Sequence, residues 1–236
     1  MFSMDRKVSY SDVCEEGFAD IAQIADYFQD CSCFHADSLG GGGKQLARER
    51  GLAWLLAYWQ IIVDRYPVYG EEVKVCTQVY GFDRVMAKRN FMLYDQQGNR
   101  IAVANSLWFL LNTATGAPVR MDPDVISIYD TEPKQEMDYA PRKVDAKGIE
   151  EKRTPFTVER YCIDTNQHMN NVWYLRHALQ YLPEGFPVRQ LRAEYRKAAR
   201  KGDIICPSIH IDEGQQRVRV LLADETGEIN AVVEFI

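Results

Sequence analysis

The side chains best suited to chemistry fall in one short run, Asp164-Thr165-Asn166-Gln167-His168, just ahead of Asn170 and Asn171. Asp164, Asn166 and His168 alternate along the chain. An extended backbone would turn all three to one side, with about 7 Å between successive members. A carboxylate and an imidazole can take or direct a proton, and an amide can position water or a polar substrate atom. A helical pattern starts at Asn170 or Asn171, and Asn is a good N-cap. The free N–H groups of a first helical turn stabilise a developing oxyanion. Carboxylate, amide, imidazole and oxyanion donors close together suit hydrolysis of an activated acyl group. A polar run of this kind also serves as a plain capping loop, and spacing alone does not separate the two.

The elements that must hold this run occur twice. In the first half, Ser9–Val13 reads as extended, and Ile21, Ile24, Phe28 and Cys31 form a helical apolar stripe. The run Gly40-Gly41-Gly42-Gly43 ends that helix region. Strands are expected at Leu52–Val63, Glu72–Gly81, Val85–Tyr94 and Ile101–Leu111, all rich in β-branched and aromatic residues. In the second half, Phe156–Tyr161 reads as extended. Val172, Leu175, Leu179 and Leu182 make another stripe, stopped by Pro183 and Gly185. Strands follow at Leu191–Tyr195, Ile204–Ile211, Arg217–Ala223 and Ile229–Phe235. Each half has an Asp-x-x-Gly turn between strands, at Asp95–Gly98 and Asp224–Gly227, where Gly supplies positive φ. The plan is α+β in tandem, each half an antiparallel sheet wrapped around a central helix, although other α+β layouts share the pattern. We expect domains at 1–130 and 154–236. Residues 131–153 hold Pro133, Pro141 and many charges, and read as a linker crossing a surface.

Composition sets outer bounds. With 46% hydrophobic and 26% charged residues, the 236-residue chain has an ordinary globular balance. No apolar run approaches the roughly 20 residues of a membrane helix, so no membrane insertion is expected. The first residues have neither an apolar signal core nor Arg/Ser-rich transit character, so the expected location is cytoplasmic. A net charge of −6 argues against general nucleic-acid binding. The six cysteines lack metal-ligand spacing, and reduced thiols with no metal and no cofactor are the expectation.

The stretch from Asp164 to Tyr174 resembles the signature of the acyl-ACP thioesterases, D-x-N-x-H-x-N-N-x-x-Y, with Asp164, Asn166, His168, Asn170, Asn171 and Tyr174 all in place. The likeness runs along nearly the whole chain, in order. Tyr27-Phe28-Gln29 through His35 and Leu39-Gly40 resembles the end of the family's first helix. Asp64-Arg65-Tyr66-Pro67 with Gly70-Glu71 resembles R-Y-P-x-x-G-E. Lys88-Arg89-Asn90-Phe91 resembles a basic pair before a strand, and Ala104-Asn105-Ser106-Leu107-Trp108 resembles A-x-S-x-W. Glu194-Tyr195-Arg196-Lys197 resembles E-Y-R/K-R/K. In plant members Glu-Cys follows that last motif and has been assigned catalytic roles; here Ala198 and Ala199 stand there.

The resemblance implies two tandem hot-dog domains and hydrolysis of fatty acyl-[acyl carrier protein] to free fatty acid and carrier protein, ending elongation. The first domain would enclose the acyl chain, with Ile21, Ile24, Phe28, Trp54 and Trp108 as lining or plain core. The second would be catalytic. Asp164, Asn166 and His168 are the expected catalytic residues, with water as nucleophile and oxyanion donors near Asn170 and Asn171. Cys162 is expected to be a bystander. Acyl carrier protein is acidic, and Arg189, Arg192, Arg196, Lys197, Arg200 and Lys201 form a local basic cluster where it could dock. Exposed edge strands in such domains often pair, which is compatible with a homodimer. The competing readings are a hot-dog acyl-CoA thioesterase, a hot-dog hydratase and a non-catalytic acyl-binding protein.

Overall fold

The computed structural model describes residues 1–40, 43–212, 214 and 216–236, with the backbone alone at residues 43 and 44. The chain divides into two compact units, Met1–Tyr139 and Ala140–Ile236.

Unit 1 begins with β1 (Phe2–Lys7) and a short 3-10 turn at Tyr10–Asp12. Helix α1 (Ile21–Ser38) follows, then α2 (Gly43–Arg50), β2 (Leu52–Val63), β3 (Glu72–Phe82), β4 (Ala87–Tyr94) and β5 (Arg100–Asn112). A two-residue β6 (Pro118–Val119) and a single-turn α3 (Pro123–Ile126) complete it. The antiparallel sheet runs β1-β3-β4-β5-β2, with β6 beside β5. Helix α1 starts because Asp20 caps it, its carboxylate accepting the Gln23 N–H at 2.8 Å. Its buried stripe, Ile21, Ile24, Phe28 and Cys31, lies on the sheet. Phe28, Trp59 and Phe91 meet at ring-centroid distances of 5.0–6.3 Å and form the centre of the core. After α1, Gly40 takes φ +72°, which breaks the helix; Gly41 and Gly42 lie outside the described residues.

Unit 2 repeats this plan in shorter form. Two brief strands, β7 (Glu151–Lys152) and β8 (Phe156–Thr157), precede a 3-10 turn at Arg160–Cys162 and helix α4 (Asn171–Leu179). Then come β9 (Gln190–Tyr195), β10 (Ile204–Asp212), β11 (Arg217–Asp224) and β12 (Ile229–Phe235). The antiparallel order is β9-β12-β11-β10, with β7 and β8 both on β10. Helix α4 buries Val172, Tyr174, Leu175 and Ala178 and packs on β12. Each unit is therefore a hot-dog, a sheet around one central helix.

The two Asp-x-x-Gly turns are built alike. Gly98 N–H donates to Asp95 O at 3.0 Å, and Gly227 N–H to Asp224 O at 2.9 Å, with φ +81° and +86°. Two expected extended stretches are not wholly so. Ser9–Val13 and Phe156–Tyr161 each pass into a 3-10 turn that swings the chain toward its helix.

On unit 1 a row of four amides crosses the sheet: Gln78, Asn90, Asn105 and Gln60 are successive cross-strand partners on β3, β4, β5 and β2. The segment after residue 131 meets three of them, while Asn105 Oδ1 accepts the Tyr80 hydroxyl at 2.8 Å. Asn90 Oδ1 accepts the Gln135 N–H and the Tyr139 hydroxyl, both at 3.1 Å, while its Nδ2 donates to Ala104 O at 3.0 Å. Gln78 Nε2 donates to Pro133 O and Gln60 Nε2 to Asp138 O. Buried amides need such partners, and stranding one costs about 1–3 kcal/mol. Asn90→Ala therefore loses about 2–4 kcal/mol, read as a lower urea midpoint; an unchanged midpoint would show that the row does not anchor the segment.

Candidate active site

The Asp164–His168 run is a closed loop, not an extended stretch. Asp164 N–H donates to His168 O at 2.8 Å, and Gln167 N–H to Asp164 O at 3.1 Å. Ile163 and Met169 pair across its base. The Asp164 carboxylate folds back on the loop: Oδ1 accepts the Asn166 N–H at 2.8 Å and the His168 N–H at 3.3 Å. Short acidic side chains hold backbone N–H groups in this way whenever the chain turns nearby. The alternation of Asp164, Asn166 and His168 thus does not place three side chains in a line. It places one carboxylate on the backbone of the other two.

The remaining members take separate positions. Asn166 is exposed at the loop tip, and His168 is half-buried. The His168 Nδ1 is buried and, among the described residues, has no hydrogen-bond partner. Asn170 caps α4, its side-chain oxygen accepting the Val172 N–H at 2.9 Å. Asn170 N–H itself donates to Cys162 O at 2.9 Å, so it is not available as an oxyanion donor. Asn171 N–H has no acceptor among the described residues and sits at the positive end of α4. Of the two expected donors, the structure leaves Asn171.

A second strand of chain braces the loop. Met169 N–H donates to Ala199 O at 2.8 Å, and Ala199 N–H donates to the Tyr174 hydroxyl at 2.9 Å. Burial pushes the Tyr174 phenol up to about 12, so it stays protonated. Ala198 and Ala199 therefore lie against the loop, but Ala199 contributes only its peptide and Ala198 is exposed. Cys162 is 1% exposed, and burial raises its thiol, which disfavours the thiolate a nucleophile needs. His177, one helical turn beyond Trp173, stacks on Phe156 at 3.8 Å, and burial lowers its basicity. Its Nε2 is buried and, like His168 Nδ1, has no hydrogen-bond partner among the described residues. Among the described residues no group of three His, Cys, Asp or Glu side chains is placed to hold a metal ion.

The same loop exists in unit 1 without the loop-closing carboxylate and the imidazole. Cys14 N–H donates to Phe18 O at 2.9 Å, Gly17 N–H to Cys14 O at 3.0 Å, and Ala19 N–H to Pro67 O at 2.9 Å. Cys14 stands for Asp164, Glu16 for Asn166, Gly17 for Gln167, Phe18 for His168 and Asp20 for Asn170. Gly17 has φ +83°; Gln167 holds the equivalent position at φ +63°. A non-glycine residue in this region costs roughly 1 kcal/mol. Gln167 was not among the expected site residues, and the comparison with Gly17 is the signal that marks it.

Three of the six residues of the basic cluster carry ion pairs. Arg192 lies 2.6 Å from Glu234 Oε1 and donates to the carbonyls of Pro141 and Lys143, with its side chain 13% exposed. Arg196 pairs with Glu194 at 2.9 Å, and Lys197 with Asp224 at 2.7 Å and with Glu228. Arg192, Arg196 and Lys197, three of the residues expected for docking, are thus each engaged in an ion pair. Arg189, Arg200 and Lys201 are exposed.

Comparison with known proteins matches residues 1–129 to the acyl-ACP thioesterase N-terminal domain and residues 145–235 to the acyl-ACP thioesterase C-terminal domain. An acyl-[acyl-carrier-protein] hydrolase of Cuphea viscosissima is 28% identical over 218 residues, covering 86% of this chain and 53% of the relative. A palmitoyl-acyl carrier protein thioesterase of Arabidopsis thaliana is 27% identical over 203 residues, covering 79% and 49%. The chain spans about half the length of these curated relatives. Among solved structures, an acyl-ACP thioesterase from Bacteroides thetaiotaomicron superposes with TM-score 0.85 at 23% identity, covering 99% of this chain and 96% of the other. A 12:0-ACP thioesterase from Umbellularia californica gives 0.86 at 19% identity, covering 99% and 95%. These two likenesses establish the shared fold.

Two substitutions separate loop closure from loop chemistry. Asp164→Ala strands two backbone N–H groups and lowers unfolding stability by about 1–3 kcal/mol. Gln167→Gly relieves the positive φ and raises it by up to about 1 kcal/mol. Urea unfolding of both variants checks the signs; the opposite order would contradict the loop geometry.

Proposed function

The chain belongs to the acyl-ACP thioesterase family, and on that premise we propose that it hydrolyses the thioester between a fatty acyl chain and acyl carrier protein. The observation that carries this reading is the buried, unpartnered Nδ1 of His168, held on a closed loop at the start of α4. A buried nitrogen without a partner is costly unless a ligand or water completes it.

In the proposed reaction His168 accepts a proton from water as the water oxygen attacks the thioester carbon. In this reading Asp164 serves the backbone, its Oδ1 accepting two backbone N–H groups, and the proton goes to His168. Its part is to hold Asn166 and His168 in place. The Asn166 amide positions the water or the thioester. The Asn171 N–H, aided by the positive end of α4, receives the carbonyl oxygen as negative charge develops. The C–S bond then breaks. The pantetheine sulfur leaves as thiolate and takes the proton back from the imidazolium, giving free fatty acid and carrier thiol. A thiolate is a good leaving group, so the site needs no strong general acid. With Ala198 and Ala199 beside the loop and Cys162 buried, no thiol nucleophile enters the scheme. In this reading unit 1 accommodates the acyl chain. The six free thiols fit a reducing compartment such as the cytoplasm.

The carrier protein is acidic, and the exposed Arg200 and Lys201, next in sequence to Ala199, supply the attraction that brings it to the loop. Arg189 adds a third exposed positive charge in the same unit.

His168→Ala and Asn166→Ala each reduce thiol release from acyl carrier protein thioesters by about 100-fold or more; near-normal rates in both would refute the assignment. Reversing charge at Arg200 and Lys201 together raises the KM for carrier thioesters several-fold, with little change on small acyl thioesters. Equal effects on both substrate types would rule out docking there.

A further inference from the structure

Unit 1 buries a cation that nothing in the described fold neutralises. Arg89, on β4, is 8% exposed. Its Nη1 lies 3.0 Å from His35 Nδ1 and 3.2 Å from Thr77 Oγ1, and its guanidinium carbon lies 5.7 Å from the centre of the Tyr129 ring. Among the described residues no carboxylate pairs with it, and its Nε and Nη2 have no acceptor. A buried guanidinium without an acid is an expensive feature to keep.

Both hydrogen-bonded neighbours accept from the same Arg89 nitrogen, Nη1. Arginine has no lone pair to offer, so His35 Nδ1 accepts and its proton sits on Nε2. Burial, then the Arg89 charge and the chain's N-terminal ammonium, hold His35 down to about 4, so it is neutral at pH 7. Trp54 Nε1 is buried and directed toward the Tyr129 phenol without reaching full hydrogen-bond geometry. The His35 and Trp54 rings both stand edge-on to Tyr129, at 5.8 and 6.3 Å. One side of this group is apolar, where Val79, Phe82 and Ile128 pack with Tyr129. The donors of Arg89 and Trp54 left without an acceptor among the described residues, against an apolar wall, are complementary to an anion carried on a hydrocarbon. The free Nε–Nη2 edge of a guanidinium matches the two oxygens of a carboxylate.

We propose that Arg89, with His35 and Tyr129, forms a binding site for the carboxylate of an aliphatic acid. The site goes beyond the proposed hydrolysis, and its binding can be measured without turnover. Two sources share the chemistry: a free fatty acid, or a small carboxylate that enters alone.

The full chain is titrated calorimetrically with decanoate below its micellar concentration, with decanol and with acetate. Saturable decanoate binding, absent with decanol and weakened about tenfold or more in Arg89→Met, is the expected result. Acetate binding as tight as decanoate assigns the site to small anions, and a gain with chain length assigns it to fatty acids. Arg89→Met also unfolds at no lower urea concentration than the parent, because it removes an unpaired buried charge. No carboxylate binding to the parent, equal binding by Arg89→Met, or failure of Arg89→Met to fold overturns the proposal. The last result would make the guanidinium a structural element.

Discussion

The Asp164 carboxylate, bonded to the Asn166 and His168 N–H groups, is the interaction on which the candidate site depends. It closes a five-residue loop, fixes where the imidazole leaves the backbone, and delivers the chain to the Asn170 cap with α4 aligned behind it. Everything else at the site supports that closure. Tyr174 and Met169 clamp the Ala199 peptide against it, and Cys162 O holds the Asn170 N–H. Such bonding turns a flexible polar run into a preorganised one, and preorganisation is what gives donors and bases their catalytic value.

The two units show what the fold requires and what the chemistry adds. Both have the same backbone bonds before the helix, so the loop is a device of the fold for starting its central helix. Unit 1 builds it with Cys14, Gly17 and Phe18; unit 2 builds it with Asp164, Gln167 and His168. The replacement of Gly17 by Gln167, with its positive φ retained, is the kind of strain that persists where function uses it. Family membership and the shared fold agree with one plan used twice.

Much of this was legible in the sequence. The strand Leu52–Val63 and the start of α4 fall where periodicity and Asn capping put them, because a buried sheet face and a helix cap are short-range requirements. The two Asp-x-x-Gly turns were legible for the same reason. The shape of the Asp164 loop was not, since alternation looks extended until a side chain satisfies the backbone. The ion pairs of the basic cluster were not legible because the acids that pair with Lys197 and Arg192 come from β11, β12 and the turn between them, remote in sequence. Arg89 looked like half of a basic pair. Only the structure separates it from Lys88, which turns to Asp83 while Arg89 is buried.

In the proposed reaction water attacks the thioester directly at the Asp164–His168 loop, and no acyl-enzyme forms. Mass spectrometry of the intact protein during single turnover of an acyl carrier protein thioester tests it most directly. Direct hydrolysis gives free fatty acid and carrier thiol appearing together, with the protein mass unchanged at every time point. An acyl adduct forming and decaying on any cysteine, or no acid released at all, would contradict it.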